Sequence, residues 1–190
     1  MITEKQFKQS AAALQVEPAV IKAVAKVESG GSGFLPDGKP VILFEPHVFW
    51  KELRKIDIDP TRYKGEYADI LYPVWGTRPY GGSSKQYARL ERAAKINREA
   101  ALASASWGKF QIMGFNWRMC KCSSLQQFIN AMYKSEDEHL RLFTNYILSA
   151  NLDDELRNKD WKGFARGYNG PLYYKNSYDK KLAAAYKSFL

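Results

Sequence analysis

Glu28 is the first residue of the chain whose type and position could do chemistry. It follows Ala25, Val24 and Ile21 by three, four and seven residues, the spacings that put side chains on one helical face. Ionising a carboxyl group on such an apolar stripe is costly, because burial strips the charge of its hydration. The last turn of a helix, where carbonyl oxygens point outward, disfavours an anion further. Both effects raise the pKa, and a carboxyl group still protonated near neutral pH is a general acid. A glutamate that bends into solvent from a frayed helix end fits the same spacing, and both readings stand on the sequence.

Glu45 closes the β-rich run Val41-Ile42-Leu43-Phe44 and precedes Pro46-His47. At the end of a strand its carboxylate aims at whatever that strand faces. Two carboxylates, one an acid and the other a base or nucleophile, are the usual equipment for cleaving glycosidic bonds. The competing readings are a pairing with a nearby arginine or lysine, or a cap on the helix after Pro46. Asp37, close by, is accounted for by the Asp37-Gly38 turn.

Two polar motifs follow. In Ser104-Ala105-Ser106-Trp107-Gly108-Lys109-Phe110-Gln111-Ile112-Met113, Gly108 allows close backbone approach and Gln111 supplies an amide. Trp107 and Phe110 either line a pocket or fill the core. In Tyr168-Asn169-Gly170-Pro171 a phenol and an amide sit at a helix end, where turn chemistry alone also explains the residues. Cys120 and Cys122 have neither His47 nor His139 nearby in sequence, so free thiols are expected and no metal site. No cofactor is implied.

Helices must position these groups. Thr3 and Gln6 read as a capping box for a helix carrying Phe7, Ala11 and Leu14 on one face. Pro18 suits the first turn of a second helix, which should stop at Ser29-Gly30-Gly31. Residues 33–45 read as a small hairpin and Pro46 opens a short helix through Trp50 and Leu53. Residues 57–82 show no period and read as irregular. Tyr63, Tyr67, Tyr72, Trp75 and Tyr80 make that segment either a saccharide-lining loop or a satellite apolar cluster. Helical periodicity returns over 84–102, 107–113, 124–133, 136–149, 161–168 and 178–189, with Ser135 and Glu138 as a second capping box. The expected fold is α+β, mostly α: a helical domain with a small β-hairpin lobe.

The 190 residues suggest one domain, 1–190, with no linker or repeat to divide it. The net charge of +9 favours anionic partners. Basic residues are interrupted by acids in most helices and no nucleic-acid motif occurs, so nucleic acid is not expected as a partner. The first five residues lack the pattern of a signal peptide, so synthesis in the cytoplasm is expected. Residues 161–190 hold six Lys or Arg against Asp179 alone, beside an apolar stripe of Leu182, Ala185, Tyr186 and Phe189. Such a helix can lie on an anionic membrane or wall polymer, or simply pack on the core, the reading we favour.

Taken together, Glu28-Ser29-Gly30, Ser106-Trp107-Gly108-Lys109-Phe110-Gln111 and Tyr168-Asn169-Gly170 occur in the order seen across the lysozyme-like superfamily. Val24-Ala25-Lys26-Val27-Glu28-Ser29, Ile42-Leu43-Phe44-Glu45 and residues 104–114 carry a closer likeness. Through them the chain resembles the phage-type N-acetylmuramidases of single-domain endolysins from Gram-negative hosts, over nearly its whole length. The resemblance implies Glu28 as catalytic acid and Glu45 as second carboxylate. It further implies sugar contacts from Gln111, Tyr168 and Asn169, with Ser106 of the same motif beside them. The substrate would be peptidoglycan glycan strands, cleaved at the β-1,4 bond between N-acetylmuramic acid and N-acetylglucosamine by a monomer released from the host cytoplasm into the periplasm. Lytic transglycosylases, which use the substrate's own hydroxyl as nucleophile, share the acid. A cationic membrane-active lytic protein is the alternative from another class.

Overall fold

The computed structural model of the chain describes every residue except Gly30 and Tyr80, and every described side chain except those of Ser29 and Ser83. The helix stop expected at Gly30, that glycine's part in the Glu28-Ser29-Gly30 motif, and the place of Tyr80 among the aromatics therefore lie outside the described residues.

Helix α1 (Glu4–Leu14) opens on the full capping box: the Thr3 hydroxyl accepts from the Gln6 N–H and the Gln6 side chain accepts from the Thr3 N–H at 2.7 Å. It ends on Gln15 in the left-handed region (φ 56°), where glycine is the usual residue. Helix α2 (Pro18–Ser29) starts on its proline and buries Val20, Ile21, Ala23 and Val24 completely. Beyond it, the Leu35 N–H donates to the Lys39 carbonyl and the Lys39 N–H to Asp37 Oδ1, forming the expected turn. That hairpin carries a single bridge, Phe34 to Pro40. Strand β1 (Ile42–Phe44) finds its ladder elsewhere, antiparallel to β2 (Ala105–Trp107), which pairs in turn with β3 (Ile112–Met113).

The second hairpin corrects the expectation of a helix over 107–113. Trp107 and Phe110 have helical spacing, but Gly108 (φ 68°) and Gln111 (φ 48°) take left-handed backbone that no right-handed helix holds. The edge of β1 needs partners for its N–H and C=O groups, and β2 supplies them: Leu43 lies opposite Ser106 and Phe44 opposite Ala105. Gln111 thus sits in a turn, not on a helix face.

Helix α3 (Pro46–Lys55) follows β1. The segment expected to be irregular contains a 3-10 turn (Pro60–Tyr63), capped by Asp59, and the short helix α4 (Lys64–Tyr67). The single helix expected over 84–102 is two, α5 (Gln86–Ile96) and α6 (Arg98–Ala103). Asn97 between them takes extended backbone and its side chain accepts from the Ala100 N–H, so it ends one helix and caps the next. Helices α7 (Leu125–Lys134) and α8 (Glu136–Ser149) meet at Ser135, whose hydroxyl caps the Glu138 N–H. Glu138 spends its own carboxylate on Lys134 and Arg141. A short α9 (Asp153–Arg157), not anticipated, precedes α10 (Trp161–Asn169), a 3-10 turn (Tyr173–Asn176) and α11 (Tyr178–Lys187).

Phe44, Phe49, Trp107, Phe110, Phe128, Phe143 and Phe164 fill the core with almost no exposure. Helix α11 packs along α2 and α10, burying Leu182 and Ala185. The result is a mostly helical fold with a small antiparallel β lobe. Among the described residues no helix is long and apolar enough to cross a membrane.

Candidate active site

Glu28 is positioned by packing. Because α2 buries the Val20-Ile21-Val24 face, Glu28 at the end of the same stripe is held among protein atoms while retaining some accessible surface. Burial pushes its pKa up to about 7, against the opposing influence of an Asn169 N–H and the charge of Lys181. Asn169 is the last residue of α10, and its Nδ2 donates to Glu28 Oε1 at 2.9 Å. The Asn169 Oδ1 is buried and, among the described residues, has no hydrogen-bond partner. Of the two readings of Glu28 open in the sequence, the structure shows the packed carboxyl group and not the solvated one.

Tyr168 precedes Asn169 on α10. Its hydroxyl donates to the Phe110 carbonyl in the turn between β2 and β3, tying the end of α10 to the hairpin. Phe164 stacks on its ring at 5.3 Å, with Phe143 and Tyr146 edge-on. Burial holds the Tyr168 phenol well above its ordinary range, and the Glu28 carboxylate adds to that. Phe110 stacks on Phe143 at 4.4 Å and is wholly buried, so of its two readings core packing is the one observed.

Glu45 stands between β1 and α3, where its backbone N–H donates to the Ser104 carbonyl. Its side chain makes no cap bond to α3. Its Oε2 is 3.3 Å from His47 Nδ1. Burial, helped by Lys51, lowers the His47 pKa, so at neutral pH this approach is not an ion pair. Tyr178, at the start of α11, has its phenol raised first by burial and then by the fields of both Glu28 and Glu45. Nothing in the sequence spacing marks Tyr178 or Lys181 as neighbours of the acid, because only the docking of α11 on α2 brings them there.

Ser106 and Gln111 are brought to one another. The buried Ser106 hydroxyl donates to Gln111 Oε1 at 2.7 Å, while Gln111 Nε2 donates to the Gly108 and Val41 carbonyls at 2.8 and 3.3 Å. Their polar atoms therefore hold the turn and the strand leading into β1. A further node, missed in the sequence, braces the same turn from behind. Glu136 at the start of α8 accepts from the Gly33 N–H at 2.7 Å and from Lys109 Nζ at 3.2 Å, and Lys109 also reaches the Gly31 carbonyl. His139, one turn on, accepts from the Lys109 N–H and packs against Phe34 at 5.0 Å.

Cys120 and Cys122 are buried free thiols, and burial raises both. Among the described residues no group of three or more His, Cys, Asp or Glu could hold a metal ion. A groove of about 960 Å³, lined by Phe7, Lys22, Ala25, Lys26, Phe34 and Phe189 among others, includes none of Glu28, Glu45 and Asn169. Its lining mixes apolar side chains with Lys109, Lys134 and Glu136, the buried pair behind the β2–β3 turn among them.

A family model described as "Muramidase: N-acetylmuramidase" matches residues 17–190. No curated protein matches the sequence. The crystal structure of the Burkholderia AP3 phage endolysin is similar with a TM-score of 0.86 and 38% identity, over 99% of this chain and 71% of that one. With a family model spanning most of its length, and a solved phage endolysin sharing its fold at that identity, the chain belongs to the N-acetylmuramidase family of peptidoglycan-degrading glycoside hydrolases.

Proposed function

We propose that this chain hydrolyses the β-1,4 bond between N-acetylmuramic acid and N-acetylglucosamine, with Glu28 protonating the departing glycosidic oxygen. The observation that carries this reading is the Glu28–Asn169 pair. A carboxyl group with a pKa of about 7 is poised to give up a proton at neutral pH. The buried, unpartnered Asn169 Oδ1 beside it costs about 1–3 kcal/mol as an orphan, and a sugar hydroxyl or N-acetyl N–H would satisfy it. Glu45, whose field reaches Tyr178 as that of Glu28 does, would activate water or stabilise the positive charge that develops on the sugar ring. Tyr168 positions Asn169, and the Ser106–Gln111 pair acts through the turn it holds.

Mass spectrometry of products released from purified peptidoglycan by the wild type, Glu28→Gln and Glu45→Gln tests the assignment. The wild type should release fragments with reducing ends. Loss of the acid should slow release by at least about 10²- to 10⁴-fold in a folded protein, and Glu45→Gln should slow it less. Anhydro sugars would assign a transglycosylase instead. Killing of cells that survives Glu28→Gln would assign membrane activity.

The same reading has a monomer made in the host cytoplasm and acting on the wall in the periplasm after release. Fractionation of host cells before and after lysis, with a monomer mass in solution, checks it. Leu182 and Ala185 of the stripe are spent on packing while Phe189, just beyond α11, stays 40% exposed, so any hold on anionic outer-membrane or wall polymers falls to Phe189 and the exposed lysines Lys180, Lys181 and Lys187.

A further inference from the structure

The turn between β2 and β3, residues 108–111, is tied to the chain beside both members of the Glu28–Asn169 pair. On one side the Phe110 carbonyl accepts from the Tyr168 hydroxyl, and Tyr168 is the residue before Asn169 on α10. On the other, Lys109 Nζ donates to the Gly31 carbonyl, and Glu136, which pairs with Lys109, accepts from the Gly33 N–H at 2.7 Å. Gly31 and Gly33 follow Glu28 by three and five residues. Where Lys109 and Phe110 sit therefore bears on where the acid and its amide partner sit.

His139, fully buried in the first turn of α8, fixes that place. The Lys109 N–H has no backbone acceptor among the described residues and donates to His139 Nδ1 at 3.1 Å. The other ring nitrogen, Nε2, is 2.7 Å from the Met132 carbonyl in the last turn of α7, where helix carbonyls lack partners of their own. A backbone N–H only donates and a carbonyl only accepts, so the ring is the neutral tautomer with its proton on Nε2. Burial keeps it neutral by lowering its pKa, with the Lys109 charge acting the same way against the Met132 carbonyl and the fields of Glu136 and Glu138. Two glycines leave room for the ring: a Cβ at Gly33 or Gly108 would stand 2.7 or 2.8 Å from Nδ1. Phe34 stacks on the ring at 5.0 Å.

We propose that His139 is a positioning residue for the acid: by accepting the Lys109 N–H it fixes the turn that keeps Asn169 on Glu28. The inference rests on the muramidase reading above and adds a residue that acts through the backbone. Two hydrogen bonds, Lys109 N–H to His139 and Tyr168 O–H to Phe110, join it to the neighbour of Asn169. Without the first, residues 109 and 110 are free to shift, and the Asn169 amide loses the alignment in which it donates to Glu28. A lost donor favours the protonated acid, and a small displacement of its proton slows the transfer.

The test is the pH dependence of kcat and KM on purified peptidoglycan for the wild type, His139→Phe, His139→Asn and Tyr168→Phe, each at a temperature where circular dichroism shows it folded. His139→Phe keeps a ring against Phe34 but offers no acceptor. It should lower kcat about three- to ten-fold with little change in KM, and move the alkaline midpoint of kcat/KM upward by about half a unit. His139→Asn puts an amide oxygen near the place of Nδ1 and should bring the midpoint back, although it loses the Met132 bond as the phenylalanine does. Lost stability alone reduces the amount of active enzyme and leaves the midpoint where it was. Tyr168→Phe cuts the second hydrogen bond and keeps the stack on Phe164. It should shift the midpoint the same way, and adding it to His139→Phe should change little more. A midpoint unmoved in folded His139→Phe, or in Tyr168→Phe if the first does not fold, overturns the proposal. Equal shifts in the Phe and Asn variants would place the effect in the Met132 bond and overturn it too. A wild type with no alkaline limb near pH 7 would instead overturn Glu28 as the acid, and the reading on which this inference rests.

Discussion

At the scale of single residues, the proposed reaction turns on the proton of Glu28. With its pKa pushed up to about 7, the group is close to half protonated at neutral pH, and kcat/KM should fall on the alkaline side with a midpoint near there. Asn169 donates to the carboxylate and so favours the charged form. Asn169→Ala should therefore move that limb to higher pH while lowering activity overall, a pairing visible in a pH–rate profile. The raised pKa also sets a stability cost. The unfolded chain gives up this proton near pH 4.5, whereas the folded chain keeps it until about pH 7. Between those values the folded state binds more protons, so stability falls as pH rises, and the penalty is complete above pH 7. Glu28→Gln avoids it. Denaturant unfolding should find the variant more stable than the wild type at pH 8, by about 2–3 kcal/mol, with the difference gone at pH 4. A variant no more stable at pH 8 would mean that Glu28 is not desolvated.

At the scale of elements, the site depends on the turn between β2 and β3 and the brace behind it. Gly108 takes φ 68°, and a Cβ there would meet the His139 ring at 2.8 Å and Met132 Sδ at 2.9 Å. Gly108→Ala combines backbone strain with a clash in a packed region and should cost about 2 kcal/mol or more in thermal unfolding. The brace itself is a buried ion pair: Glu136 is 8% exposed and Lys109 11%. Burial alone would raise the Glu136 pKa, but the Gly33 N–H and Lys109 together hold it below its ordinary value. Glu136→Ala strands the ammonium group and frees the Gly33 amide, so about 3–5 kcal/mol of stability should be lost. Glu136→Gln, which keeps the acceptor for Gly33, should cost less. Equal losses in the two variants would place the whole effect in charge.

At the scale of the whole molecule, net charge and the docking of α11 act together. Of the +9, residues 161–190 contribute +5, and of the apolar stripe Leu182 and Ala185 are buried where α11 packs on α2 and α10 while Phe189 stays exposed. Most of what α11 itself offers outward is charge, and charge is screened over about 8–10 Å at physiological salt. Lys180→Gln with Lys187→Gln should weaken lysis of intact cells at low salt and spare digestion of purified peptidoglycan. If both assays drop together, these lysines serve the fold; if neither does, α11 only packs.

The sequence by itself determined the helices whose signals are local. The Thr3-Gln6 box, Pro18 at a first turn, Pro46 after a strand, and the apolar stripe ending on Glu28 all act within a few residues of one another. Asn97 is a residue type that caps helices, but it lies inside the apolar period of 84–102, and that period by itself predicts one helix running through it. The motif order likewise identified the family before any geometry. Tertiary structure alone decided the hairpin at 105–113, because its apolar spacing fits a helix as well as a strand. The choice falls to β1, sixty residues earlier, whose backbone groups must be paired, and to the left-handed backbone at Gly108 and Gln111. It also decided the environment of the acid. Asn169, Tyr178 and Lys181 lie some 140 to 150 residues from Glu28 along the chain, and only burial of α11 and α10 against α2 sets them beside it. A raised pKa is a property of surroundings, and surroundings are made by packing.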